Sequence, residues 1–301
     1  MSPTNYTKIN CFDRLGSSRS RKLLTTVPEP HDRQPRPALL PLHGRVALVT
    51  GASRRAGIGH AIARRLAALG ASLFLHHYTQ PDHDQPGGAD PEGRRAVIDS
   101  VTDVLAETAV LHHDELDLAD SDAPHQLITT AARALGHLDI LVCNHARSGG
   151  DGPLGALDAD MLDTHWAVNT RSTILLAQAF AAQHDGRPGG RIIFMTSGQD
   201  LGPMRGEVAY AASKGALASI ARTLADHLAD QSITLNTINP GPVDTGYAPL
   251  EVRDALRHRF PKARWGVPDD PARLIAWLAT DDAAWVTGQT INTEGGFRRW
   301  D

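Results

Sequence analysis

Cysteine is nearly absent from this chain: Cys11 and Cys143 are the only two among 301 residues. Two thiols are too few for a disulfide scaffold or a cysteine-based zinc site, and they suit a reducing cytoplasm. Long apolar runs are missing too. None approaches the ~18 to 20 residues of a membrane-spanning helix, and the N-terminus lacks the apolar core of a secretory signal. A soluble, cytoplasmic protein with no membrane partner is the expectation. Charge of one sign is also scarce, with a net charge of −4. Residues 1–43 carry seven Lys/Arg against three Asp/Glu, which leaves the rest of the chain near −8. An acidic main body argues against nucleic acid as a partner.

What is present is enough apolar material, 41% of residues, to bury the core of one α/β domain of ~250 residues with a tail. Residues 1–43 read as that tail. SSRSRK and VPEPHDRQPRPALLP are polar and Pro-rich, without helical or strand period, so an extension lacking regular structure is expected there. A targeting role and a passive arm both stay open for it. Residues 44–301 are expected to form the single domain.

Within that domain, strand-like runs take turns with amphipathic stretches of helical length. The runs are RVALV, SLFLH, AVLHH, LDILVC, RIIFM, ITLNTI and QTIN. Ile58, Ile62, Leu66 and Leu69 recur at three and four residues, as do Leu217, Ile220, Leu224 and Leu228, each set placing an apolar stripe on one helix face. Strands too apolar to leave a face wet imply a mainly parallel sheet covered by helices on both sides. A ligand crevice is then expected outside the carboxyl ends of the strands. The Pro/Asp/Gly-rich YTQPDHDQPGGADPEG reads as an unusually long surface loop after the second strand.

The first strand runs into TGASRRAGIG, which passes at Ile58 into a helical pattern. Such a turn aims a helix N-terminus at the sheet edge, where free N–H groups and the helix dipole favour a phosphate. Gly51, Gly57 and Gly59 let the backbone close the turn and approach that phosphate.

TGASRRAGIG, Asp117 in ELDLAD, Asn144 in LVCNHA, Asn169 in WAVNT, Ser197 in MTSG, Tyr210 and Lys214 in YAASK, PGPVDT and WVTGQTINTEGGF follow one another in an order that resembles the short-chain dehydrogenase/reductase family. The likeness spans residues 44 to about 297. It implies a Rossmann-type, doubly wound, seven-stranded sheet and hydride transfer between a nicotinamide and a carbonyl or secondary alcohol. The catalytic set it implies is Asn169, Ser197, Tyr210 and Lys214. Tyr210 is the general acid/base, Ser197 bonds the substrate oxygen, and Asn169 holds a water connecting Lys214 to solvent. One helical turn separates Tyr210 from Lys214, so the ammonium is expected to depress the phenol's pKa, besides reaching the cofactor ribose as the resemblance implies. Cofactor contacts are implied for Gly51, Ser53, Arg54, Arg55, Gly57, Ile58, Gly59, His77, Asp117, Leu118, Asn144, Tyr210, Lys214, Pro240, Gly241, Val243 and Thr245.

NADP(H) is the expected cofactor, with NAD(H) possible. Where NAD-preferring folds of this kind place a carboxylate at the end of the second strand, this chain has His77. Arg54 and Arg55 add positive charge beside the same ribose. Which of the two meets a 2′-phosphate stays open. Two departures qualify the likeness: RRAGIG is one residue longer than the usual RGIG, and CNHAR stands in place of NNAG. His145 in that segment either approaches the nicotinamide or packs.

Histidine is abundant, at 15 residues, yet the pairs His76–His77 and His112–His113 point to opposite faces of their strands and make no chelate. Asp82, His83 and Asp84 form either a loose metal loop or a solvated acidic one, and no catalytic metal is expected. The segment after PGPVDT resembles the family's substrate flap and is nearest to its 3-oxoacyl-[acyl-carrier-protein] reductase branch. Tyr247, Leu250 and Phe260 either line an apolar pocket or pack beneath it, and Arg205 and Arg257 either meet a phosphopantetheine or stay exposed. The implied partner is a small carbonyl or acyl-thioester substrate, and the implied assembly is a homodimer or homotetramer. A catalytically silent nucleotide-binding regulator of the same fold, and an NAD-linked enzyme acting on another ketone or polyol, remain alternatives.

Overall fold

The computed structural model describes residues 40–80, 82 and 88–300. The N-terminal extension, apart from its last four residues, lies outside the described residues, as do His83 and Asp84. Those last four residues belong to the folded body: Leu42 is fully buried in the core, so the body begins ahead of Gly44.

Seven strands, β1 (Val46–Val49), β2 (Ser72–His77), β3 (Leu111–Glu115), β4 (Ile140–Cys143), β5 (Gly190–Met195), β6 (Ile233–Asn239) and β7 (Thr290–Asn292), form one parallel sheet in the order β3-β2-β1-β4-β5-β6-β7. The chain winds outward from β1 in one direction, then returns to β4 and winds the other way. This places the switch in strand order between β1 and β4, where a crevice opens at the carboxyl ends.

Alternation along each strand divides the core in two. Ala47, Val49, Leu73, Leu75, Ile140 and Val142 face α1 (Ile58–Ala68), α2 (Gly93–Thr102) and α8 (Asp269–Leu278). Leu48, Phe74, Leu141, Cys143, Ile192 and Phe194 face α3 (Ala123–Leu135), α5 (Ser172–Gln183) and α6 (Val208–Ala229). Both faces are therefore dry, as the near-continuous apolar strands require. Phe74, Phe180 and Phe194 are among the largest fully buried side chains, each contributing roughly 1.5 to 3 kcal/mol of burial.

One local feature differs from the sequence expectation, and a second adds to it. β3 begins two residues later than AVLHH suggests, because Leu111 to Glu115 pair in register with Leu73 to His77. Asn169 sits not in a regular α-helix but in a π-helical segment, Trp166–Arg171, joining α4 (Ala159–His165) to α5. The stripe expected on α6 is present: Leu217 and Leu228 are buried, with Ile220 and Leu224 packed against them. A short helix, α7 (Leu250–Leu256), lies in the segment after PGPVDT.

Candidate active site

β1 ends at Val49, and the glycine turn follows from Thr50. Gly51 has φ +71, and a Cβ on it would stand 2.7 Å from the His145 Cα. At Gly59 a Cβ would collide with the Gly51 carbonyl and the Asn144 amide. Only glycine fits this crossing of the turn and the β4 end. Asn144 holds it closed, donating from Nδ2 to the carbonyls of Thr50 and Gly51, both at 3.1 Å. His76 supports it from the β2 side, its Nδ1 accepting the Gly51 N–H at 3.3 Å while Nε2 donates to the Leu116 carbonyl at 2.9 Å. α1 starts directly after Gly57 with no side-chain cap on its first N–H groups. Such a cradle, too tight for any Cβ and ending at an uncapped helix start, fits a dinucleotide pyrophosphate.

The other positions implied for the cofactor gather around this turn. Ser53 exchanges hydrogen bonds with the Tyr78 backbone. Asp117 accepts the Ala119 N–H at 2.8 Å, and Leu118 is buried. Beyond β6, Gly241 has φ +66 and its N–H is taken by Asn239 Oδ1 at 2.9 Å, while Pro240, Val243 and Thr245 are half-buried beside it. His77, at the end of β2, is turned inward: it is 1% exposed and its Nε2 meets His113 Nδ1 at 3.2 Å. Burial holds both His76 and His77 down at about 4, so both rings are neutral at pH 7.

The two arginines part company. Arg54 is buried, donates to the Gly88 carbonyl at 3.0 Å and to the Thr245 carbonyl, and stacks 4.2 Å from the Tyr247 ring centroid. Arg55 is paired with Asp90 and Glu92, with Nη2 at 2.9 and 2.8 Å from their oxygens. The charge that the sequence places beside the ribose is thus tied to carbonyls in one case and to carboxylates in the other.

Across the crevice, β5 ends before Ser197 and α6 brings Tyr210 and Lys214 to the same place. Ser197 is half-buried, and its side chain lies near enough to the Tyr210 phenol to influence its acidity. Lys214 is 2% exposed, and its Nζ donates to the Met195 carbonyl at 2.8 Å while lying 5.9 Å from the Tyr210 ring centroid. The expected depression of the phenol's pKa is not what this arrangement gives. Burial pushes Tyr210 up to about 12, the Ser197 side chain beside it pulls it back, and the Glu207 charge adds to the rise. Lys214 faces a carbonyl instead of the phenol oxygen, so its charge does little to the tyrosine. Burial also brings Lys214 itself down to about 8.

Asn169 is fully buried and its side-chain amide is committed: Oδ1 accepts the Arg147 N–H at 2.7 Å, while Nδ2 donates to the Arg147 carbonyl at 3.1 Å and to Ser213 Oγ at 2.9 Å. It clamps the chain after β4 to α6, in place of offering that amide to a water. His145 packs. Its Nδ1 meets Thr50 Oγ1 at 2.7 Å and its Nε2 meets Ser172 Oγ at 2.7 Å, and burial keeps the ring neutral, far below the usual histidine range. Because Ser172 donates onward to the Val168 carbonyl, Nε2 carries the proton and Nδ1 accepts from Thr50.

Asp151 has no counterpart in the sequence reading. Its carboxylate, from the loop after β4, accepts the N–H groups of Ala209 at 3.0 Å and Tyr210 at 2.7 Å. It caps α6 from outside, since Glu207 at the N-cap position makes no side-chain bond. Nothing in local spacing reveals a cap delivered from 58 and 59 residues away. In the flap, Phe260 is buried against Trp265 and Phe297, Tyr247 lies under Arg54 and donates to Asp82 at 3.1 Å, and Leu250 is 67% exposed. Of the two readings left open for these three, Phe260 and Tyr247 take the packed one. Arg205 and Arg257 are exposed. Among the described residues no three His, Cys, Asp or Glu side chains gather as a metal ion would need, and no helix is long and apolar enough to cross a membrane.

A family model described as "Enoyl-(Acyl carrier protein) reductase" matches residues 51–298. An uncharacterised oxidoreductase of Bacillus subtilis is 42% identical over 258 residues, which cover 85% of this chain and 97% of that protein. Among solved structures, a short-chain dehydrogenase/reductase from Serratia marcescens superposes with a TM-score of 0.72 at 33% identity, covering 85% of this chain and 99% of its own. A short chain dehydrogenase from Burkholderia cenocepacia, solved in complex with NADP, gives a TM-score of 0.74 at 33% identity, with 85% and 98% covered. With this match along the chain, and with the glycine turn and the Ser197–Tyr210–Lys214 cluster meeting at one crevice, the chain belongs to the short-chain dehydrogenase/reductase family of oxidoreductases.

Proposed function

We propose that the protein is an NADP(H)-dependent oxidoreductase that interconverts a carbonyl and a secondary alcohol, with Tyr210 as general acid/base. The observation that carries this reading is the meeting of Ser197, Tyr210 and Lys214 beside the strand-order switch, opposite a glycine cradle that excludes any Cβ.

A bound nicotinamide would supply or accept the hydride; the backbone of the glycine turn and the start of α1 would hold its pyrophosphate. The remaining work falls to side chains of this chain. Ser197 orients the substrate oxygen and donates to it. A phenol at about 12 is fully protonated at pH 7, so Tyr210 stands ready to give its proton to an oxygen gaining negative charge during reduction. Lys214, at about 8, is largely cationic at pH 7, and we place its charge at the cofactor ribose. Asn169 and Asp151 keep α6 in place beneath them.

Preference for NADP(H) is supported by the lack of a carboxylate on the end of β2 and by the adjacent arginines of the turn. It is supported too by the NADP bound in the Burkholderia relative. A 3-oxoacyl thioester is the substrate class we propose, on the resemblance of the flap. Exposed Leu162 and Trp166, on α4 and the start of the π-helical segment, support a homodimer or homotetramer.

The test pairs Tyr210→Phe with the unmodified protein in NADPH oxidation driven by an acetoacetyl thioester and a panel of small ketones. The variant should lose about 10²-fold or more of the turnover while binding NADPH as before. Turnover that survives the substitution, or an unmodified protein that oxidises no NADPH with any carbonyl, would sink the reading.

A further inference from the structure

The sequence leaves open which arginine of the glycine turn meets a 2′-phosphate, and the structure narrows the choice. Arg54 is spent as an internal tie between the Gly88 carbonyl, the Thr245 carbonyl and the face of Tyr247. Arg55 itself borders a cavity with His60 and Arg64, and is bound to Asp90, which with Ser53, Thr79, Glu92, Arg94 and His113 lines the neighbouring cleft of about 640 Å³ at the carboxyl end of β2. That is the end of the strand where folds of this kind read the adenosine ribose.

Arg55 is not idle there. Its Nε lies 3.0 Å from Asp90 Oδ2 and its Nη2 2.9 Å from Asp90 Oδ1, and the Arg55 backbone N–H donates to the same carboxylate at 2.9 Å. Glu92 takes a further bond from Nη2 at 2.8 Å. The Asp90 side chain is 4% exposed, and its hydrogen bonds to Arg55 and Glu92 hold its carboxyl below the usual range against the burial that would raise it. Two carboxylates on one guanidinium leave a net negative unit where an unpaired arginine would be a phosphate fork. The acid that β2 lacks at His77 is delivered instead by the long connection after it.

We propose that Asp90 sets the cofactor preference by competing with the adenosine 2′-phosphate for Arg55. The proposal rests on the dinucleotide-binding reading. A 2′-phosphate gains Arg55 only by taking the guanidinium from Asp90, so the preference for NADP(H) is weaker than the bare sequence of the turn suggests. NADH makes no such demand and is indifferent to the exchange.

The test is a double-mutant cycle on the full chain, read as fluorescence titrations with NADPH and NADH. Asp90→Asn keeps the shape of the side chain and an oxygen for the Arg55 and Glu92 N–H groups while removing the charge. It should shift the ratio of dissociation constants toward NADPH by tenfold or more, chiefly through tighter NADPH binding. Glu92→Gln should shift it the same way by less, and Arg55→Met should shift it toward NADH. In the Arg55→Met background the Asp90→Asn shift should vanish, because the coupling runs through the guanidinium. A ratio left within twofold by both Asp90→Asn and Arg55→Met overturns the proposal, and so does an Asp90→Asn shift of the same size without Arg55. If Asp90→Asn fails to fold, the Arg55→Met and Glu92→Gln ratios decide between the same outcomes. An unmodified protein that binds neither nucleotide overturns the dinucleotide reading along with this one, whereas one that binds both at a ratio these variants do not move overturns this one alone.

Discussion

Lys214 shows most plainly what catalytic machinery costs a fold. It is 2% exposed, held by one carbonyl, and lowered by burial to about 8 from an ordinary 10.5. A lysine whose folded pKa lies below its unfolded value binds its proton more weakly when folded. The resulting penalty is full below pH 8 and is relieved as pH rises toward 10.5. Lys214→Met should therefore raise the melting temperature at pH 7, by an amount equivalent to a few kcal/mol, while turnover falls by about 10²-fold or more. Differential scanning calorimetry beside an activity assay checks both halves, and a variant that melts lower than the unmodified protein counts against the penalty. The identity of this lysine was legible in the spacing of YAASK, but its direction was not. Helical geometry puts Lys214 on the face of Tyr210, and only the packing of β5 decides that the ammonium turns to the Met195 carbonyl. The arginines repeat the lesson. Two guanidiniums side by side in sequence meet unrelated partners, because Asp90 and Thr245 come from segments that local pattern does not connect to the turn.

Among elements, α6 carries the site and is the longest helix among the described residues, at 22 residues. Its apolar stripe was readable because burial against a sheet imposes a period on the sequence. Its beginning was not, since the cap comes from the loop after β4. Asp151 satisfies two of the N–H groups that a helix start leaves without partners, and its charge lies favourably at the positive end of the helix dipole. Asp151→Ala should destabilise the protein by about 1 to 2 kcal/mol, seen as a lower denaturant midpoint at unchanged slope. It should also lower turnover, because Tyr210 is itself one of the capped residues. Asp151→Asn should lose less stability, as an amide oxygen still accepts. Equal midpoints for all three proteins would show that the cap carries no weight. The seven strands were legible for the same reason as the stripe, each being an apolar run bounded by turns. The π-helical segment was not, because one wider turn within a continuous helical stretch leaves no change of period long enough to read.

At the scale of the whole molecule, the notable burden is buried histidine. His60, His76 and His77 are each held down at about 4 by burial, and burial also holds His145 well below the ordinary histidine value. In the unfolded chain these rings titrate near 6.5. The unfolded state takes up their protons first as pH falls, so the stability they contribute is whole above 6.5 and drains away between 6.5 and about 4. Each ring adds a slope of up to about 1.4 kcal/mol per pH unit in that window. The melting temperature should fall steeply from pH 7 to pH 5, and denaturation measured near pH 5 should take up at least two protons. A melting temperature that stays flat over this range would contradict the burial of these rings as neutral groups.

The bridge from Thr50 through His145 to Ser172 joins the first strand to the helix that follows Asn169. His145 links the two hydroxyls, one at each ring nitrogen, and all three residues are buried. In a lineage of related chains, a change at position 50 or 172 takes a partner from a buried ring nitrogen of His145, and a compensating change at the other two restores the balance. Positions 50, 145 and 172 should accordingly be inherited as a set, with His145 giving way to a small residue only where Ser172 has also been replaced.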